Sequence, residues 1–168
     1  LQDGIWVNSY NSGLQIMPNH KVEVYHKGKL VPGVEIFPYI RFLKPILGDA
    51  MLNFGGATSS LGIDKERKVF SNPFNKAKAA PIICYESAYG EFVTEYVKNG
   101  ANLLAIMTND SWWEDSEGYK QLLSYARLRA IETRREIVRA ANSGVSAHIN
   151  ARGDILEDTI YNDKTALV

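Results

Sequence analysis

From Lys78 onward the chain alternates between two hydrophobic periods, and that alternation limits its fold more than any other feature. "KAAPIICYE" (78–86) is a short β-type run that ends at the single cysteine, Cys84. "SAYGEFVTEYVKNG" (87–100) then places Phe92, Tyr96 and Val97 at helical spacing, with Ser87 as the expected N-cap and Gly100 as the expected stop. "ANLLAIMTND" (101–110) is a continuous apolar run and reads as a strand buried on both faces. "SWWEDSEG" (111–118) reads as a loop. "YKQLLSYARLRAIETRRE" (119–136) repeats the helical period through Leu122, Ala126, Arg129 or Ala130, and Thr133. "IVRAANSGVSAHIN", "ARGD" and "ILEDTI" (137–160) read as strand, tight turn, strand. The order strand, helix, strand, helix, strand predicts an α/β fold with a layered sheet.

Upstream, "YNSGLQIMPNHKVEVYHKGKLV" (10–31) reads as two strands joined by a Pro-Asn turn, and "KVFSNP" (68–73) as another short strand. Between them, the segment 36–62 holds Phe37, Tyr39, Phe42, Leu43, Ile46, Leu47 and Phe54 among prolines and glycines. It reads as a long loop with one short helix near Tyr39 to Leu47, and loops of that length inside a domain are usually functional or mobile.

Composition narrows the function classes. With 168 residues, 45% of them hydrophobic and 23% charged, the chain suits one ordinary core. Nineteen basic residues balance nineteen acidic ones, so no cationic surplus exists to neutralise phosphates, and nucleic acid is not an expected partner. One cysteine cannot form an internal disulfide. The apolar runs fall well short of the ~20 residues that span a bilayer. Leu1 is neither an initiator Met nor the start of a signal peptide, so the chain reads as cut from something longer. His20 and His148 lack partners at ligand spacing and do not read as a metal site.

Taken alone, Cys84 is a small buried residue and Lys27 a solvated lysine. Their surroundings change that reading. Cys84 would end a strand with a helix N-terminus directly behind it, a position that favours catalytic groups and an anionic thiolate. The run Arg127, Arg129, Arg134, Arg135 and Arg139 reads as a solvated or ion-paired helix face.

Four motifs in order, "YHKGKLVPGVEIFP" (25–38), "PIICYES" (81–87), "TNDSWW" (108–113) and "YARLRAIETRREIVRAANSGVSAHINARG" (125–153), resemble the signatures of the nitrilase superfamily. More narrowly, they resemble the nitrilase-like domain of the apolipoprotein N-acyltransferase family. The resemblance covers about residues 5 to 156. One departure is Gly33-Val34, where that family usually has Phe-Gly between the Pro and the Glu.

The resemblance implies part of an αββα sandwich, with residues 1–168 forming a single partial domain. It implies Cys84 as a nucleophile that forms a thioester, Lys27 as the ammonium that stabilises the oxyanion, and Glu35 as a supporting glutamate. Tyr85, Glu86, Asn109 and Trp112 match residues around the acyl site. The general-base glutamate of the family has no counterpart and is expected upstream of Leu1, together with membrane helices. This implies a bacterial inner-membrane enzyme with its catalytic domain on the periplasmic side. Its acyl donor would be a phospholipid and its acceptor the diacylglyceryl-cysteine of a lipoprotein. The chain alone is expected to be inactive, to contact lipid through segment 36–62, and to form homo-oligomers through exposed sheet surface. Two alternatives stand beside this: a soluble carbon-nitrogen hydrolase acting on a small amide or nitrile, and a non-catalytic module of the same fold.

Overall fold

The computed structural model describes residues 9–32, 35–36 and 61–167. The expected helix and lipid-contacting loop of segment 36–62 therefore lie almost wholly outside the described residues. Strands β1 (Ser12–Ile16) and β2 (Val22–His26) form an antiparallel ribbon. Its turn closes through the His20 N–H to the Met17 carbonyl, with His20 left-handed, as the Pro-Asn pair foretold.

The second sheet has six strands in sequential order: β3 (Phe70–Ser71), β4 (Lys78–Ile83), β5 (Leu103–Asn109), β6 (Glu136–Asn142), β7 (Ala147–Ile149) and β8 (Ile155–Asp158). β4, β5 and β6 run parallel, and the other neighbouring pairs are antiparallel. The two parallel crossovers carry helices α1 (Gly90–Lys98) and α2 (Glu117–Thr133).

One face of the parallel strands presents Ala80, Ile82, Leu104, Ile106 and Ile137, all buried with Val93 and Tyr96 of α1 and Ala126 and Ala130 of α2. Each large aliphatic side chain so covered contributes about 1.5–3 kcal/mol of transfer free energy. On the opposite face of β4 and β5, Gly13 lets the ribbon close against Pro81 and Met107, where a Cβ would lie 2.9 Å from the Met107 methyl carbon. The chain is thus α/β, with helices on one side of a mixed sheet and a ribbon on the other.

Several elements differ from the sequence expectation. β5 is not buried on both faces: Leu104 and Ile106 are covered, while Met107 is exposed with Val138 on the same face. The helix after Cys84 does not begin at Ser87. A 3-10 turn, Cys84–Ala88, comes first, because the Ser87 hydroxyl donates to the Cys84 carbonyl rather than capping α1. The tract from Ile137 to Ile160 is three strands rather than two, because left-handed Ser143 breaks it. Arg139 lies on β6, not on a helix face, and both it and Arg129 are buried. Gly100 does end α1. It is left-handed (φ 96°), and the Ala101 N–H reaches back to the Tyr96 carbonyl.

Candidate active site

β2 delivers Lys27 just past its last residue, and the Lys27 N–H donates to the Asn11 carbonyl. The side chain is 1% exposed. Its ammonium is tolerable there because Nζ donates to both Glu35 oxygens, at 2.9 and 2.7 Å. Glu35 also accepts from Asn11 Nδ2 at 3.0 Å and from the Val31 N–H at 2.8 Å. Burial pushes the Glu35 carboxyl up, but the hydrogen bonds from Lys27, Val31 and Asn11 outweigh it and hold the group below its ordinary value. Lys27 and Glu35 therefore form a fixed cation–carboxylate pair at the mouth of the ribbon.

Cys84 follows β4 directly and is left-handed, at φ 51°. That conformation costs a non-glycine residue about 1–2 kcal/mol and is retained where the surroundings impose it. Here they do. Two residues on, Glu86 is fully buried and accepts the Ile83 N–H on Oε2 at 2.7 Å. Its Oε1 accepts the Tyr25 hydroxyl at 2.6 Å, the Gly28 N–H at 2.6 Å and the Lys29 N–H at 3.3 Å. One carboxylate thus joins the residue before Cys84 to residues on both sides of Lys27. Burial pushes the Glu86 carboxyl up, against the lowering effect of these donors. Burial, and then the charge of Glu86, pushes the Tyr25 phenol above its usual range.

The remaining residues singled out from the sequence lie on turns and strand ends that follow β4 and β5. Register pairs Ile83 with Met107 and Asn109 with Asn142, so Cys84 follows the carboxyl end of β4 while Asn109 and Asn142 close the next two parallel strands, β5 and β6, with neighbouring strands about 4.8 Å apart. Asn109 is exposed, and its Oδ1 accepts from the Ser111 N–H and from Asn142 Nδ2, each at 3.2 Å. Trp112 is 70% exposed on the short 3-10 turn Ser111–Trp113. Tyr85 is half-buried and meets Tyr89 edge to face at 5.2 Å. Glu86 has no exposed surface, so its contacts are with protein groups. Among the described residues, no group of three or more His, Cys, Asp or Glu side chains could hold a metal ion.

Sequence reasoning passed over Asn11, Tyr25 and Asp110, and it read Arg139 as part of a helix face. Asp110 is fully buried, and Arg139 Nη2 donates to its Oδ2 at 2.7 Å. One signal was present: Arg139 occupies the inward phase of an apolar strand, two residues after Ile137.

The family model for carbon-nitrogen hydrolases matches residues 2–168. An apolipoprotein N-acyltransferase of Chlorobaculum tepidum is 33% identical over 163 residues, covering 95% of this chain and 30% of the relative. Apolipoprotein N-acyltransferase 1 of Treponema pallidum is 35% identical over 167 residues, covering 94% of this chain and 29% of the relative. The chain thus spans about three tenths of the length of these two relatives. Among solved structures, a carbon-nitrogen hydrolase from Helicobacter pylori superposes with a TM-score of 0.66 at 14% identity, over 92% of this chain and 54% of that one. Saccharomyces cerevisiae Nit3, of the nitrilase superfamily, superposes at 0.63 and 14% identity, over 92% of this chain and 51% of that one. With a family match that runs almost from end to end and a fold shared with these structures, the chain belongs to the carbon-nitrogen hydrolase family.

Proposed function

We propose that this chain is the thiol-bearing part of an N-acyltransferase that moves a phospholipid acyl chain onto the amino terminus of a lipoprotein. One observation carries the reading: Glu86 ties the Ile83–Cys84 turn to the backbone around Lys27, while Glu35 fixes the Lys27 ammonium. A nucleophile and a cation held in one frame are what acyl transfer requires. The Cys84 thiolate attacks the ester carbonyl of the phospholipid. The negative charge develops on the carbonyl oxygen, where Lys27 offsets it. The tetrahedral adduct collapses, the glycerol alkoxide leaves with a proton as lysophospholipid, and a thioester remains on Cys84. The α-amino group of a diacylglyceryl-cysteine then attacks the thioester, loses a proton and releases the thiol, leaving an amide.

In this scheme Glu35 positions Lys27, and Glu86 holds the two halves of the site in register. Tyr85, Asn109 and Trp112 line the acyl entrance. No metal or organic cofactor enters. The general base comes from a glutamate outside this chain, so the chain alone does not turn over, and with an activated ester it stops at a single acylation of Cys84. The full protein works at the periplasmic side of the bacterial inner membrane, anchored by further segments; among the described residues no helix is long and apolar enough to cross a membrane. Relatives named as acyltransferases at 33% and 35% identity favour this reading over hydrolysis of a small amide, since the superposed hydrolase-type structures are only 14% identical.

The test is mass spectrometry of the chain after incubation with a long-chain p-nitrophenyl ester. An acyl adduct on Cys84, absent in Cys84→Ser and slowed at least tenfold in Lys27→Met, is expected; removing one oxyanion donor costs about 100-fold or more in well-studied acyl-transfer enzymes. Equal labelling of Lys27→Met and wild type would remove Lys27 from the mechanism. Fast hydrolysis with no transfer to added amine would favour the amidase.

A further inference from the structure

We infer that Asp110 and Arg139 form a buried clamp that sets the position of the acyl-entrance loop, a role that rests on the acyl-transfer reading of Cys84. Both side chains are sealed from water, at 0% and 1% exposure, and the ion pair is 2.7 Å long. Each member is engaged further. Asp110 Oδ1 accepts the Thr108 hydroxyl at 2.7 Å, and Arg139 Nη1 donates to the Val145 carbonyl. The backbone repeats the link: the Asp110 N–H donates to the Asn142 carbonyl at 3.1 Å, and the Trp113 N–H to the Asp110 carbonyl at 3.0 Å.

Two segments are thereby held together. The first is the end of β5 and the loop after it, with Asn109, Ser111 and Trp112. The second is the turn after β6, Ser143–Val145, where Ser143 is left-handed and Gly144 passes so close that a Cβ would sit 2.0 Å from Asp110 Oδ2. On the solvent side the same segments meet through Ser111 and Ser143 hydroxyls, 3.1 Å apart, and through Asn142 to Asn109 and Ser111. Register places this assembly at the carboxyl ends of β5 and β6, the two strands that follow β4 and its Cys84 in the sheet. Isolated buried ion pairs seldom add stability over an apolar pair of similar volume. What a charged pair supplies here, and an apolar one would not, is a directed hold on Val145 and Thr108, and so a single loop position. Asp110 and Arg139 are positioning residues: they act through Asn109 and Trp112.

The experiment compares the wild-type chain with Asp110→Leu/Arg139→Met and with Arg139→Lys. Cys84 is alkylated by N-ethylmaleimide and by N-dodecylmaleimide, which share a reactive group and differ in chain length. Amide hydrogen exchange is followed in parallel. For the folded double variant, the dodecyl-to-ethyl rate ratio should fall at least about fivefold while the ethyl rate stays within about twofold, as a displaced binding contact predicts. Exchange should speed up about tenfold or more at residues 110–113 and 143–146, and not in β4 or the core of β5. A ratio within twofold of wild type, with unchanged local exchange, overturns the clamp. If the double variant does not fold, Arg139→Lys decides by the same two readings, because a lysine keeps the charge but cannot hold Asp110 and Val145 together. A wild-type Cys84 that reacts like a free thiol with no chain-length preference would count against the acyl-transfer reading. Local exchange would then still decide the clamp.

Discussion

Lys27 has almost no contact with water, and its ammonium is hydrogen-bonded to the carboxylate that faces it. Lys27→Met should therefore lower stability by about 3 kcal/mol, the lower end of what breaking a buried pair costs, because Glu35 keeps 15% of its side chain exposed. The double variant Lys27→Met/Glu35→Gln should recover most of that loss in urea titrations. A single-variant loss under about 0.5 kcal/mol would mean that the pair is not holding the site. The two site carboxylates also predict opposite pH effects. The folded Glu35 carboxyl lies below its ordinary value of 4.5, so the stability it contributes is complete above that pH and is lost as pH falls through the lowered value. The folded Glu86 carboxyl lies above 4.5, so its contribution is complete below that pH and is lost as pH rises through the raised value. Glu35→Gln should flatten the acid limb of a stability–pH curve, and Glu86→Gln the slope above it. Urea midpoints between about pH 3 and 7 would show both. Identical curves for both variants and the wild type would refute the assignment.

The local elements around the site follow from side chains that compete for backbone groups. Ser87 bonds back to Cys84, which keeps residues 84–88 in a 3-10 turn and delays α1 to Gly90. The turn after β6 depends on the absence of a side chain at Gly144. Gly144→Ala should destabilise by about 1–3 kcal/mol, because the obstructing atom is a carboxylate already fixed by Arg139 and cannot give way cheaply. Thermal unfolding would measure it, and a melting temperature unchanged from wild type would show that the Asp110–Arg139 pair is more mobile than its geometry implies. At this scale the sequence was most legible where period and punctuation agreed. α2 and the Gly100 stop were readable because each rests on local spacing. The start of α1 was not, because a serine offers the same signal whether it caps a helix or closes a turn.

Across the whole molecule, the helices cover one face of the parallel strands and leave Met107 and Val138 exposed on the other. The outer side of the ribbon adds exposed Leu14, Ile16 and Val22. A surface with so many apolar side chains tends to associate. The chain is expected to self-associate in a concentration-dependent way in sedimentation velocity, and Met107→Glu/Val138→Lys should reduce that association. A wild-type boundary that stays monomeric up to about 100 µM would contradict it.

By itself the sequence determined the α/β order, the ribbon and its turn, α2, and the four motif segments, because hydrophobic period and turn chemistry act over a few neighbouring residues. Cys84, Lys27 and Glu35 stood out for the same reason: each sits in a short motif. The exposed face of β5, the burial of Arg139 and the contacts of Glu86 were decided only by tertiary structure. Which face of a strand is covered depends on what packs against it, and an arginine or glutamate reads as a surface residue until its partners arrive from distant segments. Glu86 meets Tyr25 and Gly28, 61 and 58 residues away, and Arg139 meets Asp110, 29 residues away. No local pattern encodes such pairings. They follow once three parallel strands bring their carboxyl ends together and the ribbon closes beside the first of them.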